Sequence, residues 1–400
     1  MAVTRTNLVW PFKQDQWEGW WGPLEGLFRV ADRRQHTIAV GCCAASDLYA
    51  PEVIQEEPGD CISLRVPVSV AKDRLAALGS NRRDADARIQ GAVQRASSSA
   101  RIIWDDLCSS MMSASSPLTV RGQVAPFELG DELEFILKPL DVFAVLLDWA
   151  PDDSEVVITS LRGEVYDLLT ALGDDFFANY DPLEWSVHSR GVATTVVLTE
   201  GVFDQEVIER VVREAYPHLQ DYIRFIDADI PVERGARALV HFVRALMAAG
   251  VREPNFVAVF DNDREGVLNA NKLAGLSLVT GYRVCTLPTR SNFKSVPVEL
   301  PSEIAPADVN GWGAPIELYL AEDLAIEAPT LTLARIADSY QGVLKQPDKA
   351  RIQEAYRNST TSPGPAARSI INAILHGGAD LQPPDTVSSR PPRQPFSYES

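Results

Sequence analysis

Residues 256–266, FVAVFDNDREG, limit what this chain can fold into more than any other stretch. Five consecutive apolar residues rich in Val and Phe read as a strand buried on both faces, the habit of strands in parallel sheets. The run stops at two carboxylates, Asp261 and Asp263, and then passes into a helical pattern. A parallel sheet presents the residues that follow its strands at its carboxyl edge, where open α/β folds take their ligands. Two aspartates one residue apart on such a turn can bring their oxygens to one hard cation. The same spacing suits a helix cap, with Asp263 as N-cap of a helix beginning near Arg264. The local sequence leaves both readings open.

From Thr194 onward, strand-like and helical segments alternate. Residues 195–199 form a β-branched run ending at Glu200-Gly201. Asp204 then opens a helix whose Val207, Ile208, Val211, Val212 and Ala215 recur at helical spacing. Residues 222–226 read as a second strand leading to Asp227 and Asp229, and residues 236–249 as a second helix stopped by Gly250. The third strand is 256–260, the third helix 264–273 and the fourth strand 282–287. Strands alternating with helices of this length predict a parallel sheet with right-handed crossovers. Residues 288–307, rich in Pro and Ser, read as a loop. In the stretch DVNGWGAPIELYL, Asp308 precedes a Gly-rich turn and Glu317 lies in an apolar helical run. Residues 330–357 suggest a further helical layer. Residues 358–400, rich in Ser, Pro and Arg, read as a largely disordered tail.

Residues 1–190 read as a separate α+β region. Trp10, Trp17, Trp20 and Trp21 cluster near its start; such tryptophans can stack on bases but more often build a core edge or interface. Residues 62–70 alternate as a strand, and 71–96 follow a helical pattern broken at Gly79-Ser80-Asn81. Arg82, Arg83, Arg88 and Arg95 interleave with Asp84 and Asp86 there, as on a charge-mixed solvated face. Residues 140–149 are apolar and ambiguous between helix and strand, 155–159 read as a strand and 164–172 as a helix. No catalytic constellation stands out in this region.

In the later region three strand ends carry acids: Glu200, then Asp227 and Asp229, then Asp261 and Asp263. A parallel sheet brings all of them to one edge. The pairing of VVLTEGVFD with FVAVFDNDREG resembles a TOPRIM domain, the catalytic module of topoisomerases, primases and OLD-type nucleases. Together with YPHLQDYIRFID, DVNGWGAPIELYL and YQGVLK, it is similar to the HEPN/Toprim N-terminal domain proteins. The resemblance implies a Rossmann-like TOPRIM parallel sheet over 191–357, flanked by helices and preceded by the α+β N-terminal region. It implies that Glu200, Asp261 and Asp263 form a catalytic acidic triad, that Glu317 and Asp308 supply further metal contacts, and that the cofactor is Mg2+ or Mn2+. It also implies hydrolysis of DNA or RNA, possible homo-oligomerisation and a partner in an anti-phage defence system. A HEPN ribonuclease needs an R-x4-6-H motif. Arg29 to His36 and Arg213 to His218 meet the spacing, but in neither is the Arg followed by the polar residue usual in that family, so HEPN activity is not assigned.

The net charge of -18 counts against a simple electrostatic grip on a polyanion. Metal ions and local basic groups, such as Arg264 and Lys294, would have to offset that field; as single residues these are more often surface groups. The alternative to a nuclease is therefore a non-catalytic TOPRIM scaffold or sensor that binds a nucleotide or metal and recruits a partner. His188, His218 and His241 form no paired spacing, and the five cysteines show neither C-x-x-C pairs nor a disulfide framework. The lack of a long apolar run and of an apolar signal core points to a cytoplasmic protein without membrane association.

Overall fold

In the computed structural model the chain divides into two compact units, Met1–Thr194 and Thr195–Ser400. The structure describes residues 7–8, 27, 33–38, 59–99, 101, 104–105, 136–148 and 155–160 of the first unit. Of the second it describes 195–226, 234–251, 255–276, 278, 281–301, 303–336 and 339–377. The tryptophan cluster, the segment 164–172, His188, Asp227 and Asp229 lie outside the described residues.

In the first unit, β1 (Asn7–Leu8), β2 (Arg33–Ile38), β3 (Gly59–Pro67) and β4 (Glu155–Ser160) form a sheet in the order β1-β4-β3-β2. The β1–β4 pair is parallel and the others antiparallel. The strand expected over 62–70 stops at Pro67, and helix α1 (Val68–Ala77) begins at the next residue. Proline suits the residue before a helix because its fixed φ fits the entry and no donor is lost. Gly79, at φ 84, turns the chain out of α1. Asn81 then caps α2 (Arg82–Arg95) by accepting the Asp84 N–H at 2.9 Å. Residues 139–147 settle as helix α3 (Pro139–Leu147), with Val142 through Leu147 all buried. A helix buried all round shows no amphipathic period, which is why its sequence was ambiguous.

In the second unit, β5 (Thr195–Thr199), β6 (Ile223–Phe225), β7 (Asn255–Phe260) and β9 (Tyr282–Thr286) form a four-stranded, wholly parallel sheet in the order β6-β5-β7-β9. Helices α4 (Val202–Ala215), α5 (Ala236–Ala248) and α6 (Arg264–Ala274) make the crossovers. Leu198, Phe256, Ala258 and Phe260 pack against Leu239, Val240 and Val243 of α5 and Ala270 and Leu273 of α6. Alternate residues Val197, Val257 and Val259, also buried, point to the opposite face. Both faces are thus covered, which explains the unbroken apolar run in β7.

Residues expected as loop and helical layer form a second sheet instead. Strands β10 (Val296–Glu299), β11 (Ile304–Ala307), β13 (Leu331–Ile336) and β14 (Ser339–Leu344) lie in the order β11-β10-β13-β14. Pro297 and Pro306 face each other across β10 and β11, and these prolines gave the segment its loop-like look. Of the helical layer expected over 330–357, only α8 (Gln346–Asn358) is helix. Between the sheets, β8 (Asn262–Asp263) pairs antiparallel with β12 (Gly313–Ala314), which leads into α7 (Ile316–Asp323). The Gly342 N–H donates to the Trp312 carbonyl at 3.2 Å, so the D-N-D turn is braced through Trp312 against β14.

The tail expected from residue 358 carries helix α9 (Pro365–His376), which buries Ala366, Ala367, Ile370, Ile371, Ile374 and Leu375 and packs on α4 and α7. Its Ser- and Pro-rich approach hid the apolar stripe behind it. Gly364 has no side chain to cap α9, and Asp323 does so from α7, accepting the N–H groups of Ala366 at 2.9 Å and Ala367 at 2.8 Å. Among the described residues no helix is long and apolar enough to cross a membrane. Asp323→Ala should lower unfolding stability by about 1–2 kcal/mol, the usual cost of a lost cap. Urea denaturation, with faster hydrogen exchange confined first to 365–376, checks this; unchanged exchange there would show that α9 does not depend on Asp323.

Candidate functional site

The acidic residues gather where β5 and β7 end. Glu200 follows β5, and its Oε1 accepts the Asp261 N–H at 2.9 Å, tying together the ends of the two central strands. Asp204, in the first turn of α4, accepts the Gly201 N–H at 2.7 Å. Asp261 accepts the Ile316 N–H at 3.2 Å and so satisfies one donor at the start of α7, whose N-cap, Pro315, has no side-chain cap. Asp263 is the N-cap of α6. Its Oδ1 accepts the Gly266 N–H at 2.7 Å, and its Oδ2 accepts from Gln341 Nε2 at 2.6 Å. Gln341 in turn accepts the Glu265 N–H at 3.0 Å. The cap reading of Asp263 is therefore correct, and it leaves the carboxylate fixed beside Asp261.

Gly266 makes this turn possible. A Cβ there would lie 2.3 Å from the Asp261 carbonyl oxygen, so any other residue would displace the backbone that carries Asp261.

Glu317, on the inner side of α7, is 1% exposed. Its Oε1 receives Gln353 Nε2 at 2.8 Å and the Lys349 ammonium at 3.2 Å, both from α8, while its Oε2 is buried without a hydrogen-bond partner. A buried carboxylate oxygen left bare is costly unless something else completes it.

These groups repel one another. Burial, reinforced by Asp204, Glu200, Asp263 and Glu317, holds the Asp261 pKa well above the usual carboxylate range. Glu200 is pushed up to about 8 by burial, against the pull of the Asp261 N–H and with the help of Asp263, Asp204 and Glu265. Asp204 is pushed up to about 7, by burial first and Glu317 second. Burial also raises Asp263, although the Gly266 N–H works against it. Burial disfavours the Lys349 ammonium, but the charges of Glu317, Asp261 and Asp204 outweigh it and raise its pKa.

The structure thus brings Glu200, Asp261, Asp263 and Glu317 into one electrostatic group and adds Asp204, Lys349 and Gln341, which the sequence reading did not place there. Asp204 had been read only as a helix opener, although its position in VVLTEGVFD, one turn past Glu200, carried the signal. Nothing in the sequence marked Lys349, because it reaches the site from a helix nearly 90 residues downstream of Asp261. Asp308 is used otherwise: its Oδ1 accepts from the Asn310 N–H at 3.1 Å and Nδ2 at 2.8 Å in a turn. It is not among the main charges acting on Glu200, Asp204, Asp261 or Asp263. Lys294 is exposed on a short 3-10 turn, and Arg264 is the first residue of α6. Among the described residues no three acidic, histidine or cysteine side chains already stand as a finished metal cage. Each acid of the group turns at least one oxygen to a protein donor. No protein-family model, curated protein or solved structure matches the chain.

Folding raises these carboxyl pKa values above those of the unfolded chain, near 4. Their contribution to stability is then complete below about pH 4 and is lost as pH rises through the folded values, about 7 for Asp204 and about 8 for Glu200. The metal-free protein should melt higher at pH 5.5 than at pH 8.5, and Glu200→Gln should reduce that difference. Differential scanning calorimetry in chelator measures it. Equal pH dependence in wild type and variant would remove Glu200 from the repelling group.

Proposed function

We propose that the second unit is a TOPRIM-type phosphodiesterase that hydrolyses DNA or RNA with a divalent cation, Mg2+ or Mn2+. The observation that carries this reading is the crowding of Glu200, Asp204, Asp261, Asp263 and Glu317 around the carboxyl edge of a parallel sheet, with Lys349 as the cation bound among them. Such a set lacks positive charge, and the bare Oε2 of Glu317 lacks a partner. The donors are all oxygens, the chemistry that hard cations take. The match to the TOPRIM pattern of a Glu after one strand and D-x-D after another supports the same reading. A role in anti-phage defence rests on the resemblance alone.

In this reading Asp261, Asp263 and Glu200 hold the cation, with Asp204 and Glu317 completing the acidic wall. The bound cation would polarise the scissile phosphate and acidify a water. Gln341 and the Gly266 N–H fix the orientation of Asp263. Lys349 places a positive charge beside Glu317, where it offsets the charge of an incoming phosphate. Glu200, whose pKa burial pushes up to about 8, would hold a cation only as the carboxylate, so cation affinity should increase with pH.

Purified chain should cleave labelled single- or double-stranded DNA or RNA only with Mg2+ or Mn2+. Asp261→Asn and Glu200→Gln should each reduce the rate on the order of 10²–10³-fold, typical for loss of one charge-stabilising group. Cleavage persisting in both variants would refute the reading. One observation favours the scaffold alternative, the net charge of -18, which repels polyanions. Metal binding without turnover of any nucleic acid would decide for it.

A further inference from the structure

The first unit contains a cleft of about 330 Å³ between α2 and the start of α3. Its floor is one face of α2: Arg88, Gly91, Ala92 and Arg95 stand at i, i+3, i+4 and i+7, so two arginines flank two small residues. Lys138, the residue before α3, lines the opposite wall.

Arg88 is held rigidly. Its Nε donates to Asp141 Oδ2 at 2.8 Å, and its Nη2 donates to Asp141 Oδ1 at 2.5 Å and to the Gly79 carbonyl at 3.0 Å. Ser80 Oγ donates to the same Asp141 Oδ1 at 2.8 Å, and Asp141 is 2% exposed. The carboxylate therefore fixes one side of the guanidinium and leaves Nη1 without a partner among the described residues. Arg95 folds back over the floor, since a Cβ built at Gly91 would lie 3.5 Å from its Nη1. Neither Arg95 nor Lys138 has an ion pair among the described residues, whereas Arg82 on the same helix pairs with Asp86 and Asp148. Three cations against Asp141, the one carboxylate among the lining residues, leave that lining with two positive charges in a chain of net charge -18. Asp84 also acts on Arg88 from outside the cleft.

We propose that this cleft binds a phosphomonoester of mononucleotide size. A phosphomonoester carries about −1.5 to −2 charges near neutral pH, which matches the excess in the cleft. A guanidinium immobilised by its own carboxylate loses little freedom on meeting a phosphate, and the Nη1 group that Asp141 and Gly79 leave free points two N–H donors at it. The floor left open by Gly91 and Ala92 and the exposed side chain of Ile136 give the organic part of the ligand a surface to cover. The volume is at the lower end of the range for small-molecule sites.

The test is calorimetric titration of the full chain, in chelator, with each of the four ribonucleoside monophosphates and with adenosine as the uncharged control. At least one monophosphate should bind, adenosine should not, and Arg95→Ala and Lys138→Ala should each weaken binding at least tenfold. Both side chains are exposed, so the variants should keep the wild-type melting temperature. Gly91→Leu, which fills the floor, should weaken binding as well. Asp261→Ala should bind as wild type does, because none of the acidic group lines the cleft. The proposal is overturned if no monophosphate binds at millimolar concentration, if binding is unchanged in Arg95→Ala and Lys138→Ala, or if Asp261→Ala abolishes it.

Discussion

Mutual repulsion among buried carboxylates is the constraint around which the second unit is arranged. Asp261 sits at the centre, acted on by Asp204, Glu200, Asp263 and Glu317. Each of these charges is brought by a different element or turn. Ionised carboxylates out of water are costly unless paired. Here one half-buried ammonium, Lys349, faces the group.

The fold tolerates this by assigning backbone donors to the acids. The Asp261 N–H is given to Glu200, the Ile316 N–H to Asp261, the Gly266 N–H to Asp263 and the Gly201 N–H to Asp204. The same bonds join β5 to β7, begin α7 and cap α6, so the acids are structural connectors as well as the source of strain. At Glu200 and Asp261 an amide oxygen could accept the same backbone N–H without the charge, whereas Asp263 accepts through both of its oxygens. The two-residue pair β8–β12 and the bare Cα of Gly266 keep the D-N-D turn in place under that load.

The parallel sheet and its crossovers were legible because the central strands β5 and β7 were compact apolar runs and the helices between the strands were amphipathic. So were Glu200, Asp261 and Asp263, since strand ends in a parallel sheet share an edge. The second sheet was not legible. Pro297 and Pro306 disguise β10 and β11, and the alternation of β13 is spoiled by Ala334 beside Arg335. Helix α9 was masked by the Ser- and Pro-rich segment before it. Lys349 and Gln341 reach the site through tertiary packing, which no local pattern encodes. In the first unit the spacing of Arg88 and Arg95 was visible, but the carboxylate that locks Arg88 lies 53 residues away at Asp141.

The central claim, that these acids are held together at a cost for the sake of a cation, is tested most directly by Asp261→Asn. Asparagine keeps the oxygen that accepts the Ile316 N–H and removes the charge. Melting temperatures of wild type and variant at pH 8.5, in chelator and then in Mg2+ or Mn2+, measure both sides of the claim. The account predicts that the metal-free variant is the more stable and gains little from metal, whereas the wild type gains markedly. A variant less stable than wild type in chelator, or one stabilised by metal as much as wild type, would contradict it.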